Sequence, residues 1–350
     1  MADAIEIDGS MMEGGGQTIR TALALSALAR KPVKITKARA SRPKPGLKPQ
    51  HLAAAETLAE ICSAGLRGAK PNSTELEFSP NEIKPANLNV RIGTAGSISL
   101  LLQQVLPVSL LQEIKLRIVG GTNVAWAPPV EFLQAALFPV LRKSGARLDL
   151  KVRKRGFFPK GQGVVHFSSK PAKLPLKPIS LTELGGLESI EIVSSSASLP
   201  KDVSRNQAVA ARHALQHLNL DFIEKIESSE HLATIGSAIS VFARFSKGAV
   251  LSGSALGMKG KPAEQVGKEA AQALLAELEA KQPCDSHLAD QLIPFMALAK
   301  GKSEIRATKL TQHCLTNIAV TEKFLPVKFS VRGSLGEPAE ISVEGHAFSP

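Results

Sequence analysis

His313 stands in the run Thr311-Gln312-His313-Cys314-Leu315-Thr316-Asn317, just ahead of a predicted helix. A neutral imidazole is a competent nucleophile toward phosphorus near neutral pH, because its ordinary pKa is ~6.5. A lone histidine serves equally as a hydrogen-bonded structural residue, so His313 gains meaning only from its neighbours. Cys314 is no partner for it, since adjacent residues at a helix start point apart. Near the other end, Glu13-Gly14-Gly15-Gly16-Gln17 leads into a helix with Arg20 one turn in. Glycines there free the backbone N–H groups to approach an anion. The helix N-terminus adds partial positive charge, and Arg20 adds a full one. Glu13, the only carboxylate of that turn, is suited to a divalent ion carried on phosphates. Gly93-Thr94-Ala95-Gly96-Ser97 repeats this logic, and each motif also reads as an ordinary tight turn.

Two further segments carry charge into irregular chain. Ala38–His51 reads ARASRPKPGLKPQH. Its prolines and glycine prevent regular structure, and Arg39, Arg42, Lys44 and Lys48 make it either a phosphate clamp or a surface connector. Arg155-Gly156-Phe157-Phe158-Pro159-Lys160-Gly161-Gln162-Gly163 sets two aromatics among basic residues. One ring could stack on a base, or one could enter the core. Other motifs fail. Gly301-Lys302-Ser303 mimics the tail of a phosphate-binding loop, but position 296 is Met and the segment follows a helix. No glycine fingerprint for a nicotinamide cofactor follows a strand. His213 and His217 stand four apart on a predicted helix, but no nearby carboxylate completes a metal set.

These residues need a scaffold, and its pattern recurs. Gln17–Ala29, Ser97–Leu111 and Ser286–Ala299 read as helices, followed by β-branched runs at Val33–Thr36, Ile114–Val119 and Ser303–Ala307. A second helix comes next each time, at Gln50–Ala64, Pro129–Lys143 and Leu315–Leu325. Such alternation predicts an α/β fold of three repeated helix/sheet units. Gly16 to Gly96 spans 80 residues, whereas Gly96 to His287 spans 191. The excess is one small domain, placed at 185–283, with 1–184 and 284–350 forming the large domain. The insertion reads as strand, helix, three strands and a long helix, Ala263–Ala280. Lys170–Lys177, before it, is a Pro/Lys-rich connector.

The chain has 350 residues, 43% hydrophobic and 21% charged, which excludes wholesale disorder. No apolar run reaches the ~18–20 residues of a membrane span, and MADAIEIDGS lacks the apolar stretch of a signal peptide. Cys62, Cys284 and Cys314 are scattered without CxxC spacing, which excludes a disulfide scaffold and fits a reducing compartment. The net charge is +12, of which residues 14–55 carry +9 and residues 142–177 carry +10, leaving −7 elsewhere. Charge so concentrated predicts a polyanionic partner. With no Tyr and one Trp, a platform that stacks several bases is unexpected.

Taken in order, the motifs resemble the RNA 3′-terminal phosphate cyclase family. The carriers are Glu13-Gly-Gly-Gly-Gln17-x-x-Arg20, Arg39-x-x-Arg42-x-Lys44-Pro45-Gly46-Leu47-x-x-Gln50-His51, and Gly93-x-Ala95-Gly96-Ser97 with Gln103 beyond it. Gly120-Gly121-Thr122-Asn123 with Ala127-Pro128-Pro129, Arg155-Gly156-Phe157-Phe158-Pro159, Leu288-Ala289-Asp290-Gln291 and His313-x-Leu315-Thr316-Asn317-Ile318 complete the set. The resemblance implies three α/β units with a smaller domain inserted between the second and third. It implies that His313 attacks the α-phosphate of ATP, that AMP passes to an RNA 3′-phosphate, and that the 2′-OH closes a 2′,3′-cyclic phosphate. By the same resemblance Arg20, Gln103, Pro128, Pro129, His287, Leu288, Ala289, Asp290 and Gln291 bind ATP. Arg39, Arg42, Lys44, Gln50, His51 and Arg155 bind RNA phosphates, and Glu13 places Mg²⁺ or Mn²⁺. The implied partner is RNA ending in a 3′-phosphate, with no membrane. The expected location is the cytoplasm, or the nucleoplasm in a eukaryote. Oligomeric state is left open, a homodimer among the options.

Two departures stand out. The adenine-wall position that is often Tyr in the family is His287, and the glycine run near the end of the Arg155 motif is Gly161-Gln162-Gly163. The alternatives are a catalytically silent RNA-binding assembly factor, against which an intact His313 argues, and an enolpyruvyl transferase, which also repeats α/β units.

Overall fold

The computed structural model describes residues 4–349. The first unit comprises β1 (Ile5–Asp8), α1 (Gly16–Ala29), β2 (Val33–Thr36), α2 (Pro49–Ile61), β3 (Gly65–Arg67) and β4 (Leu76–Ser79). In β2, Val33 and Ile35 alternate inward against half-buried Lys34 and Thr36, as a strand covered on one face requires. The second unit repeats the plan. It runs β5 (Ala86–Arg91), α3 (Ile98–Val105), β6 (Ile114–Gly120), α4 (Val130–Phe132), a π-helical stretch Leu133–Leu137, α5 (Phe138–Ser144), β7 (Arg147–Lys154) and β8 (Gly163–Lys170). Pro107 has no N–H to continue α3, so the helix expected over Ser97–Leu111 stops at Val105 and a 3₁₀ turn, Val108–Leu110, follows.

The third unit opens with β9 (Ser180–Leu181) and is then interrupted. The interruption comprises β10 (Leu187–Ala197), α6 (Asp202–Leu215), β11 (Asp221–Ser229), β12 (Gly236–Phe245), β13 (Val250–Leu256) and α7 (Ala263–Glu279). The unit resumes with α8 (Ser286–Leu298), β14 (Lys300–Ala307), α9 (Gln312–Phe324), β15 (Phe329–Arg332) and β16 (Ala339–His346).

The sheets run β1-β2-β4-β3, β5-β6-β8-β7 and β9-β14-β16-β15. In each the first pair is parallel and the other two pairs are antiparallel. The repeat is therefore one topology used three times, and all three copies share one apolar core. The interrupting sheet, β11-β10-β12-β13, has a core of its own around Ile190, Ile192, Ala211, Ile239, Leu251 and Leu274. That second core supports our proposal that 185–283 form a small domain and 1–184 with 284–350 the large one. Val193, Phe242 and Val250 join the main core and tie the two together. Asp285 caps α8 by accepting from His287 N–H at 2.8 Å, and its other oxygen accepts from Ser252 N–H at 2.9 Å. One carboxylate thus joins the start of α8 to β13.

Candidate active site

The glycine turn before α1 is shaped by close approach. Gly14 has φ +58°, and a Cβ on Gly16 would lie 2.4 Å from His51 Nε2. Arg20 follows one turn later, 7% exposed. Its Nη2 donates to Gln17 Oε1 at 2.6 Å, and its Nε has no hydrogen-bond partner. No carboxylate among the described residues forms an ion pair with Arg20. Burial, reinforced by Arg39, lowers its pKa to about 10, so it remains cationic at neutral pH. A buried cation without a counterion is costly, and an incoming anion removes that cost.

The basic loop before α2 closes one side. Arg39 Nη1 donates to the Lys44 and Gly46 carbonyls at 2.9 and 2.7 Å, which pins the loop to its own guanidinium. Lys48 Nζ donates to Asn72 Oδ1 at 2.7 Å, and Lys48 N–H donates to His51 Nδ1 at 3.1 Å. Burial, with Arg20, Arg39 and Lys48 as further causes, pushes His51 down to about 3. Neutral His51 therefore keeps a proton on Nε2, beside Gly16 and Arg20.

The opposite side is built from α8 and α9. Thr311 caps α9 by accepting from Cys314 N–H at 2.9 Å, and its hydroxyl donates to Asp290 Oδ1. The cap lies four residues ahead of the expected helix start at Leu315, so His313 sits inside the first turn. Asn317, one turn further, accepts from Gln17 Nε2 at 2.9 Å and Thr21 Oγ1 at 2.6 Å, and donates to the Asp290 carbonyl at 2.6 Å. α1, α8 and α9 are thereby locked around one buried amide. His313 Nδ1 stands 3.3 Å from Glu13 Oε2, and Arg42 forms an ion pair with the same carboxylate. Burial lowers the His313 pKa, aided by Arg20 and Arg42 and opposed by Asp290. Burial pushes the Asp290 carboxyl up to about 6.

All of this faces a cavity of about 1150 Å³. Its walls include Glu13, Arg20, Arg39, Arg42, Lys44, Gln50, His51, Gln103, Pro128, Pro129, His287, Asp290, Gln291 and His313. His287 packs edge-on against Phe132, with ring centroids 6.3 Å apart.

Three expected residues do not join them. Leu288 and Ala289 are core residues, 1% and 0% exposed, because they fall on the far side of α8 from the 287/290/291 face. Arg155 is buried at 4% exposure, paired with Glu131 and with Glu227 Oε2 at 2.9 Å. Its guanidinium ties β7 to β11 rather than meeting phosphate. Arg155→Met leaves Glu131 buried and uncompensated, and is expected to destabilise the fold by about 3–5 kcal/mol. An urea midpoint equal to wild type contradicts this.

The Gly93–Ser97 turn is not at the cavity either. A Cβ on Gly96 would meet Gln50 Cβ at 2.9 Å, and Ser97 N–H donates to Gln50 Oε1 at 3.1 Å, so the turn positions Gln50. Phe157 enters a small core with Ala197 and Ala238, while Phe158 is exposed. The second basic block lies outside the cavity, with Arg147, Lys151 and Arg153 on the solvent face of β7. Cys62, Cys284 and Cys314 are free and buried.

Sequence reasoning missed the Glu13–His313–Arg42 contact and the Gln17–Asn317 bond, which spans 300 positions. Asn317 had a signal: it lies four residues after His313, on the same helical face. It also missed the wall supplied by β12 and β13, namely Ser240, Phe242 and Ser252–Ser254.

The chain is similar to known proteins over nearly its whole length. A model described as RNA 3′-terminal phosphate cyclase matches residues 11–331. The RNA 3′-terminal phosphate cyclase of Pyrobaculum aerophilum is 41% identical over 348 residues, covering 99% of both chains. That of Pyrobaculum neutrophilum is 43% identical over 344 residues, covering 98% of this chain and 99% of its own. Among solved structures, EPSP synthase from Acinetobacter baumannii aligns with a TM-score of 0.31 at 12% identity, covering 99% of this chain and 66% of that one. No helix among the described residues is long and apolar enough to cross a membrane. The family match over residues 11–331, with relatives 41–43% identical over nearly the whole of both chains, shows the affiliation: the chain belongs to the RNA 3′-terminal phosphate cyclase family.

Proposed function

We propose that the chain converts an RNA 3′-phosphate to a 2′,3′-cyclic phosphate at the expense of ATP, with His313 as the covalent nucleophile. The observation that carries this is His313 Nδ1 at 3.3 Å from Glu13 Oε2, in a cavity lined by Arg20, Arg39 and Arg42. Glu13 beside Nδ1 favours the tautomer protonated there, which leaves the Nε2 lone pair free to attack the α-phosphorus of ATP as pyrophosphate leaves. Arg20 and the Nε2–H of His51 offer charge and a donor to the phosphoryl oxygens as negative charge shifts onto them.

The RNA 3′-phosphate then attacks the histidine-bound AMP phosphorus, and His313 is released. A phosphate monoester is a poor electrophile with oxide as its leaving group; joined to AMP it acquires a good one. The adjacent 2′-OH, held by its own ribose, attacks the RNA phosphorus and AMP departs. His287, Pro128 and Pro129, which line the same cavity, would flank the adenine.

A Mg²⁺ or Mn²⁺ carried on the triphosphate needs only one or two protein carboxylates. Glu13 and Asp290 both line the cavity, so the residues fit such an ion, with Glu13 as its holder. It would supply further neutralisation of the phosphates.

Incubating the chain with ATP, metal and RNA ending in 3′-phosphate should yield a cyclic end, and RNA ending in 3′-OH should not. RNA binding without product would favour the silent assembly factor. The pH profile carries a sign. His313 attacks as the neutral base, and burial holds its pKa below 6.5. Adenylylation of the protein should therefore rise with pH along a limb centred below 6.5 and level off above it. A limb centred above neutrality contradicts the assignment.

A further inference from the structure

Trp126 is 99% exposed, although it is the largest apolar side chain in the sequence. It is also the only Trp, in a chain with no Tyr. It lines the mouth of the catalytic cavity, on the Val124–Ala127 tip between β6 and α4.

The base of that loop is firmly tied. Thr122 N–H donates to the Gly156 carbonyl at 2.8 Å, and Asn123 Nδ2 donates to Glu131 Oε2 at 3.0 Å. Ser99 donates to the Pro128 carbonyl, and Val130 N–H to the Thr122 carbonyl at 3.1 Å. On this rigid base the backbone of Trp126 has φ +65°, a left-handed conformation that bulky residues rarely adopt. The chain therefore holds an indole out in water by a conformation that itself costs energy. Core packing explains neither feature, and strained, exposed aromatics of this kind suit a ligand clamp.

Resting on the proposed cyclase reading, we infer that Trp126 stacks on an unpaired base at the 3′ end of the RNA, while the basic loop holds that strand's phosphates. The position selects RNA over the adenine of ATP. A base at the rim lies where a strand must leave the cavity, whereas the nucleotide is expected deeper, between His287 and Pro128/Pro129. Arg39, Arg42, Lys44 and Lys48 line the same cavity, so backbone charge is met beside the indole. Stacking of this kind tolerates any base, since each has a π face.

Because the chain has a single Trp, its intrinsic fluorescence reports on this residue directly. Titration with a short single-stranded RNA ending in 3′-phosphate should quench the emission. The same RNA with abasic terminal nucleotides should quench far less, and ATP alone should not reproduce the effect. Trp126→Ala should raise KM for RNA about tenfold with a much smaller change in kcat, and Trp126→Phe should recover most of that loss. An unchanged emission with RNA that is nevertheless cyclised overturns the proposal, as does equal quenching by ATP alone. Quenching by RNA that is never cyclised sustains the stack and sinks the cyclase reading instead.

Discussion

His313→Ala should lower cyclic-phosphate formation by roughly 10⁴-fold or more, the loss typical when a covalent nucleophile is removed. Two neighbouring groups, Cys314 and His51, are poorly suited to take its place. Cys314 is buried, and burial raises its thiol well above the ordinary value. His51 is neutral, but its Nδ1 accepts from Lys48 N–H and its Nε2 lies against Gly16. The side chain of His313 is 43% exposed, so its truncation removes little packing. The unfolding midpoint should stay near wild type while product disappears. Chromatographic assay of RNA ends, with a parallel urea titration, separates this from a folding defect. Retained turnover would rule His313 out as nucleophile.

Arg20→Met should move activity and stability in opposite senses. The cavity loses its buried guanidinium, and kcat/KM should fall by about 10²–10³, as when one oriented donor to a developing oxyanion is deleted. Stability should hold or rise. The native side chain is a buried cation with no carboxylate partner among the described residues, and an apolar chain of similar length removes that desolvation cost. This is the reverse of Arg155→Met, where the guanidinium is already matched by Glu131 and Glu227. Two buried arginines thus carry opposite predictions because one has its counter-charges within the protein and the other awaits them from the ligand. A loss of stability at Arg20→Met with activity intact would invert the assignment.

How far the sequence revealed these roles depends on the range of the interaction. α1, β2 and α8 follow from local pattern, and their ends lie within a residue or two of expectation. Spacing alone suggested an insertion, as two glycine-led helices set a period that the third breaks, and we propose its bounds as 185–283. β9 was not legible, because two residues carry no periodicity. Its parallel pairing with β14 makes it the first strand of the third sheet, ahead of β10–α7 in the chain.

In the site, residue type and loop chemistry pointed to Arg20, Arg42 and His313, and the family resemblance added His51. The resemblance put Arg155 on RNA phosphate, but its partners are Glu131 and Glu227, 24 and 72 positions away. Motif membership misplaced Leu288 and Ala289, where helical geometry turns two members of a four-residue run inward. The contact of Glu13 with His313 arises only when α1 and α9 pack, so no local window contains it.

The central claim is that AMP is carried on His313. Incubation with α-labelled ATP and a divalent metal, followed by peptide mapping, tests it most directly. The account predicts one acid-labile AMP on the peptide containing His313, discharged by RNA ending in 3′-phosphate and absent from His313→Ala. Equal labelling of His313→Ala, or AMP mapped to another peptide, would contradict it.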